Sequence, residues 1–128
     1  MAAAVYNIFI EQGATFKAEM VFKDSDGVPI DQTGRTFTGQ IRKRYDDSTV
    51  LATFTVTLAN QITDTGKIII TIPAAQTAAI PVEPSTQCTD PKKRPESVYQ
   101  YDIEATNVDT TVDRVLQGVA TVSPEVTK

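Results

Sequence analysis

Apolar and polar residues alternate with a period of two along most of this chain, which restricts it to folds built from half-buried strands. In "TFKAEMVFK", Phe16, Ala18, Met20 and Phe22 fall on one face, and Thr15, Lys17, Glu19 and Lys23 on the other. "TFTGQIRKR" turns Phe37, Gly39 and Ile41 inward, and "VLATFTVTL" does the same with Ala52, Phe54, Val56 and Leu58. The threonines between them favour extended backbone through their β-branching. "KIIITI" is apolar on both faces, as a central strand would be. "VYQYDIEATN" sets Tyr99, Tyr101, Ile103 and Ala105 against Gln100, Asp102 and Glu104, and "DRVLQGVATV" groups Leu116, Gly118, Ala120 and Val122. With "VYNIFIEQ" at the front, the pattern predicts about seven strands.

Turn chemistry separates these runs: "KDSDGVP", "YDDST" and "TDTGK" carry the glycine, proline and aspartate that tight connections need. In "IPAAQTAAIP" a proline followed by alanines predicts a helical turn from Pro73 to about Ala79, stopped before Pro81. The fold class expected is therefore all-β: an antiparallel immunoglobulin-like β-sandwich of about seven strands with one short helical turn.

At 128 residues the expectation is one domain spanning 1–128, with a core large enough to need no disulfide or metal. The stretch "IPVEPSTQCTDPKKRPESVY" interrupts the strand pattern. The residues after it supply only two strands, and an isolated hairpin is marginal in water, so it reads as a loop inserted at 82–97 and not as a linker between domains. Its length and its basic character make it the first candidate partner-contact loop, through Val82, Glu83, Cys88, Lys92, Lys93 and Arg94. Arg42, Lys43 and Arg44 form a secondary basic cluster, for which solvation at a strand end is the simpler reading.

The formal charge of −4 disfavours nucleic acid as a partner, and no run of ~18 apolar residues would span a bilayer. The N-terminal "MAAAVYNIFIEQG" lacks a basic n-region, which predicts a chain kept in the cytosol where it is made. The sequence has no histidine, which removes the commonest general base and the Ser-His and Cys-His nucleophile systems. Cys88 lies near three cations that would favour its thiolate, yet no base accompanies it, so a solvent-facing or packed thiol is favoured. "DSDG" at Asp24 to Gly27 opens like a calcium loop, but Arg35 occupies the position of the closing glutamate, which favours a plain turn. Glu11, the Asp46-Asp47 pair, Asp102 and Glu104 would serve a glycosidase only if two of them met across a cleft. Tyr6, Tyr45, Tyr99 and Tyr101 are the candidates for stacking on a sugar, with strand packing as the stronger reading. No enzyme activity, cofactor or metal is expected.

Three stretches carry a resemblance: "IEQGATFKAEMVFKDSDGVPIDQTG" at 10–34, "GKIIITIPAAQTAAIP" at 66–81 and "YQYDIEATNVDTTVDRVLQGVATVSPEVTK" at 99–128. Together they resemble the small β-sandwich structural proteins of tailed bacteriophages, including the domain type at the N-terminus of baseplate upper proteins. That group opens with an "I-x-Q-G-x-T/D-F" strand and a "D-x-D-G-x-P-I-D-x-T-G" hairpin. A glycine-led strand, an alanine/threonine helix, a "Y-x-Y-D-I/L-E" strand and a closing "R-L-L-x-G-x-x-T-V-S-P-E-V-T" segment follow. The resemblance implies a virion protein of the tail, baseplate or neck that packs against other virion structural proteins, without catalysis; exposed strand edges separately suit such a chain to a symmetric homo-oligomer. A capsid decoration or cement protein is the alternative within that class, and a receptor- or glycan-binding adhesin domain the alternative outside it. Where the group makes a tight "L-P-A-G-x-Y" turn, this chain inserts Val82 to Ser97, so the group's contact surfaces are not carried over to it.

Overall fold

The computed structural model describes residues 3–82 and 97–124. Strands β1 (Ala4–Val5), β2 (Ile8–Glu11), β3 (Phe16–Val21), β4 (Thr36–Arg42), β5 (Val50–Leu58) and β6 (Lys67–Ile72) precede helix α1 (Ala74–Ala79). Strands β7 (Ser97–Thr106) and β8 (Val112–Ser123) follow it, so the described chain is all-β apart from α1. The hydrogen-bonded order is β1-β8-β7-β4-β5-β6-β3, with β2 also on β8, in one sheet curled toward a half-barrel. The curl is made at β5, where Ala52 to Phe54 pair with β4 and Thr55 to Leu58 pair with β6. One strand thus belongs to two ladders, and the sheet folds over its own inner face.

That face is the one the alternation selects. Ile41, Phe54, Ile68, Ile70, Ile72, Tyr99, Tyr101, Ile103, Leu116 and Val122 are buried in a single cluster, joined by Ile8 and Ile10 from β2. Leu58, expected inside, emerges at the end of β5 and is 38% exposed. Gly39 is buried in the middle of β4, where a Cβ would stand 2.8 Å from Ile103 Cγ1 and 2.9 Å from Phe54 Cδ2. The glycine therefore makes room for two large core side chains.

The sheet is mixed where a purely antiparallel one was expected. β1 and β2 run parallel to β8, with Ala4 opposite Leu116 and Ile8 opposite Ala120. A period of two decides which face a residue takes but carries no strand direction, and these partners lie more than a hundred residues apart along the chain. The expected single strand at the front is also split. The Tyr101 hydroxyl donates to the Tyr6 carbonyl, and the Val119 N–H donates to Asn7 Oδ1 (3.2 Å), so side chains interrupt the ladder between β1 and β2.

α1 runs over the residues expected of it and locks one corner. Thr77 is fully buried; its Oγ1 accepts from the Gly13 N–H (3.1 Å) and donates to the Ala14 carbonyl (2.8 Å). Gln12 Nε2 donates to the Ile80 carbonyl (2.8 Å), and Gln76 Oε1 accepts from the Thr53 N–H (3.0 Å). A helix this short has little stability of its own, so these contacts hold it. Asp24 Oδ1 accepts from the N–H groups of Asp26 (2.9 Å) and Val28 (3.0 Å), the geometry of the plain turn favoured for "DSDG". Among the described residues no cluster of potential metal ligands forms, and no helix is long and apolar enough to cross a membrane.

Candidate functional site

The outer face of the β1/β2-β8-β7-β4 ladder carries a groove of about 550 Å³. Its floor follows from strand register. Val5 lies opposite Gln117, Gln117 opposite Asp102, and Asp102 opposite Gln40, forming one row across four strands. The next row sets Val119, Gln100 and Arg42 side by side, with Asn7 beside Val119. These positions alternate with the buried Tyr101, Ile103 and Ile41, so burying the inner face obliges this polar set to share the outer one.

One groove residue is displaced from the face that simple alternation would give it. Arg114 is two residues from the buried Leu116 and by parity would point inward. A register shift at Ile103/Glu104 pairs Ile103 with Leu116 but Glu104 with Arg114, leaving Val115 as the extra residue of a bulge. Arg114 therefore reaches the groove, where its Nε lies 3.5 Å from Asp102 Oδ2 and its Nη1 donates to Gln117 Oε1 (3.2 Å). Both charges are half exposed, so the pair contributes to shape more than to stability.

The basic cluster at 42–44 is divided. Arg42 lines the groove and is held there, donating to the Asp47 carbonyl (2.6 Å) and to Gln40 Oε1 (2.8 Å). Lys43 and Arg44 are exposed on the following turn, where Arg44 Nε lies 3.7 Å from Asp46 Oδ1. The same turn carries Tyr45 to the groove rim, 89% exposed. Farther along the same outer face Phe9 and Val98, 71% and 58% exposed, flank Thr121 in a row fixed by strand register. The outer face thus offers an amide-rich and charged groove next to a short apolar stripe.

The other candidates separate as follows. Tyr99 and Tyr101 are core residues; the Tyr99 hydroxyl donates to the Pro81 carbonyl. Tyr101, deep under the sheet, has its hydroxyl pushed up to about 12 by burial and secondarily by Tyr6. Tyr6 is half exposed and lies outside the groove. Asp102 lines the groove, whereas Glu11, Asp46, Asp47 and Glu104 do not. Val82 packs, partly buried, against the core cluster, and Ser97 begins β7. Glu83, Cys88, Lys92, Lys93 and Arg94 lie outside the described residues.

At the opposite end of the ladder, Arg35 gathers a second cluster. Its guanidinium stands 5.5 Å from the Phe22 ring centroid and 5.6 Å from that of Phe37. It donates to Gln32 Oε1 (2.6 Å) and Asn107 Oδ1 (2.8 Å) and lies 3.6 Å from Asp113 Oδ2. Beside it, Asp31 and Asp109 each accept from the N–H and hydroxyl of a threonine two residues on, Thr33 and Thr111. Those bonds hold both carboxyls below the usual aspartate range. With each of its three guanidinium nitrogens engaged by another group of the same chain, Arg35 makes this cluster a structural clamp.

No protein-family model matches the sequence, and a search of curated proteins finds no similar one.

Proposed function

We propose that this chain is a non-enzymatic structural protein of a tailed-bacteriophage virion, assembling through protein contacts in the tail, baseplate or neck. The observation that carries the proposal is the outer face of the β8-β7-β4 ladder. It combines a concave polar groove with the exposed apolar residues Phe9, Val98, Val5 and Tyr45 on one face, and large apolar residues set beside hydrogen-bonding groups are what protein interfaces use. The residues behind the phage resemblance support it from another side, because they are the ones that hold this fold. Gln12 and Gly13 of the "I-x-Q-G" segment are tied to α1, and Gly66 opens β6 at φ 84° where a Cβ would stand 2.6 Å from the Phe22 carbonyl oxygen. Tyr99 and Tyr101 of "Y-x-Y-D" bind the carbonyls of Pro81 and Tyr6.

The immunoglobulin-like description belongs to the same proposal. β3-β6-β5 takes the order of strands B, E and D, and β4-β7-β8 that of C, F and G. Tyr99, near the start of the F equivalent, bonds an upstream carbonyl as a tyrosine corner does. The parallel β1 and β2 extend the C-F-G side.

Locating the chain in purified particles by cryo-electron microscopy tests the proposal. Density for it in the tail, baseplate or neck supports the reading, density on the capsid surface moves it to a decoration protein, and absence from the particle defeats it. A second reading, glycan recognition by an adhesin domain, draws on Tyr45 standing exposed beside Gln40, Arg42 and Gln100, since saccharides are held by an aromatic face with amide and charged partners. Saccharide-array binding that disappears in Tyr45→Ala would select it.

A further inference from the structure

We infer that the outer edge of β3 is a self-pairing surface, on which a second copy of this chain adds its own β3 antiparallel across a two-fold axis; the inference rests on reading the protein as an assembly module. The Phe22 N–H donates to the Gly66 carbonyl (2.9 Å), the Ile30 N–H to the Phe22 carbonyl (2.8 Å), and the Asp24 N–H to the Val28 carbonyl (2.9 Å). Even-numbered residues of this segment therefore bond toward β6 and the turn that follows β3. By the alternation of antiparallel pairing, Lys17, Glu19 and Val21 turn their N–H and C=O groups the other way. β6 is the described strand paired with β3, which ends the sheet on this side.

Edge strands commonly carry charges that repel a copy. Here the charges have opposite sign two residues apart, Lys17 and Glu19, and that spacing complements itself under a two-fold axis. Centred on Ala18, the pairing sets Lys17 of each copy opposite Glu19 of the other. It also sets Phe16 opposite Met20 on the inner face, where both are partly buried at the rim of the core. Centring on Lys17 or on Glu19 would stack like charges, and centring on Met20 would oppose Lys17 to Lys23. Centring on Val21 would carry Lys17 into the turn at 25–27, beyond the extended strand. Glu19 already lies 3.3 Å from Lys67, so pairing through Ala18 places it between two ammonium groups. An edge contact buries less than the roughly 1,200 Å² of a standard stable interface, so association is weak in free solution. It strengthens when other contacts hold copies together in a particle.

The test uses the full chain. Sedimentation equilibrium is expected to show mass rising from monomer toward dimer with concentration. Glu19→Lys should weaken self-association roughly tenfold or more by opposing like charges, and Lys17→Glu/Glu19→Lys should recover part of that loss, because the exchange keeps the complementarity between copies while setting an ammonium beside Lys67. Residues facing each other in a non-hydrogen-bonded pair have Cα atoms about 4.5 Å apart, within disulfide reach. In a Cys88→Ser background, Ala18→Cys should therefore yield a covalent dimer on mild oxidation and Val21→Cys should not. A wild-type chain that stays monomeric at millimolar concentration overturns the inference. So does a dimer indifferent to Glu19→Lys, or a double exchange that recovers none of the loss. Should Ala18→Cys not fold, the charge series decides alone. Particle density that shows β3 against a different protein defeats self-pairing and leaves the virion reading standing. Dimers of a chain absent from the particle defeat the virion reading and leave self-pairing standing.

Discussion

Arg35 and Tyr101 each connect parts of the chain that alternation alone leaves unrelated. Arg35 covers the rings of Phe22 and Phe37 and bonds Gln32 and Asn107, so its truncation loses stacking and charge-assisted hydrogen bonds together. Arg35→Ala should lower the unfolding free energy by about 2 kcal/mol, measured by urea denaturation, with the strands retained in far-UV circular dichroism. Tyr101 links pH to stability. Its hydroxyl is raised to about 12 in the folded chain, against about 10 in an unfolded one. Below pH 10 both states hold the proton and the stabilisation is fully present. Between pH 10 and 12 the folded state binds more protons than the unfolded, so stability falls as pH rises. Urea midpoints taken from pH 8 to 12 should show this decline, and Tyr101→Phe should flatten it. Neither role was legible in the sequence: Tyr101 was visible as an inward residue, but its carbonyl partner is set by the N-terminal crossing, and Arg35 stood out only for not being a glutamate.

Among the elements, those with local signals came out as expected and those with distant partners did not. β3, β4 and β7 follow their alternation, β6 lies between β5 and β3 as its two apolar faces predict, and α1 begins after Pro73 and stops before Pro81. The N-terminal segment was legible as extended sequence, yet its division into β1 and β2 and its parallel docking depend on β8. Gly118 is where that docking is closest: a Cβ there would strike the Tyr6 carbonyl oxygen and come within 2.9 Å of the carbonyl carbon. Gly118→Ala should therefore lift β1 from β8. Hydrogen exchange at Tyr6, whose N–H donates to the Gln117 carbonyl (2.9 Å), should speed up while β6 stays protected. The bulge at Val115 belongs here too. It moves Arg114 from the core face to the groove, and no residue type in "DRVLQG" announces it.

For the whole molecule, the inserted segment and the groove bear on assembly in different ways. Val82 packs on the core and Ser97 starts β7, while Tyr99 bonds Pro81, so the two ends of the segment at 83–96 are held near each other by described residues. Replacing 83–96 with a short glycine turn should leave the midpoint of thermal unfolding within a few degrees of wild type. Incorporation of the deletion chain into particles, measured by quantitative mass spectrometry, should fall if the segment makes partner contacts. Unfolding of that chain would assign the segment to the core. The groove itself could not be read beforehand. Its residues come from β1, β4, β7, β8 and the connections after β1 and β4, and their types are those of any wet strand face.

The sequence by itself determined the β class, the inward and outward faces of the main strands, the glycine turns and the extent of α1. Each depends on spacing between near neighbours, and backbone sterics and burial translate that spacing directly into local structure. Tertiary structure alone decided the curl at β5, the parallel entry of β1 and β2, the clamp at Arg35 and the assembly of the groove. These depend on which strands meet and in what register, and that is settled by packing energy shared over the whole sheet.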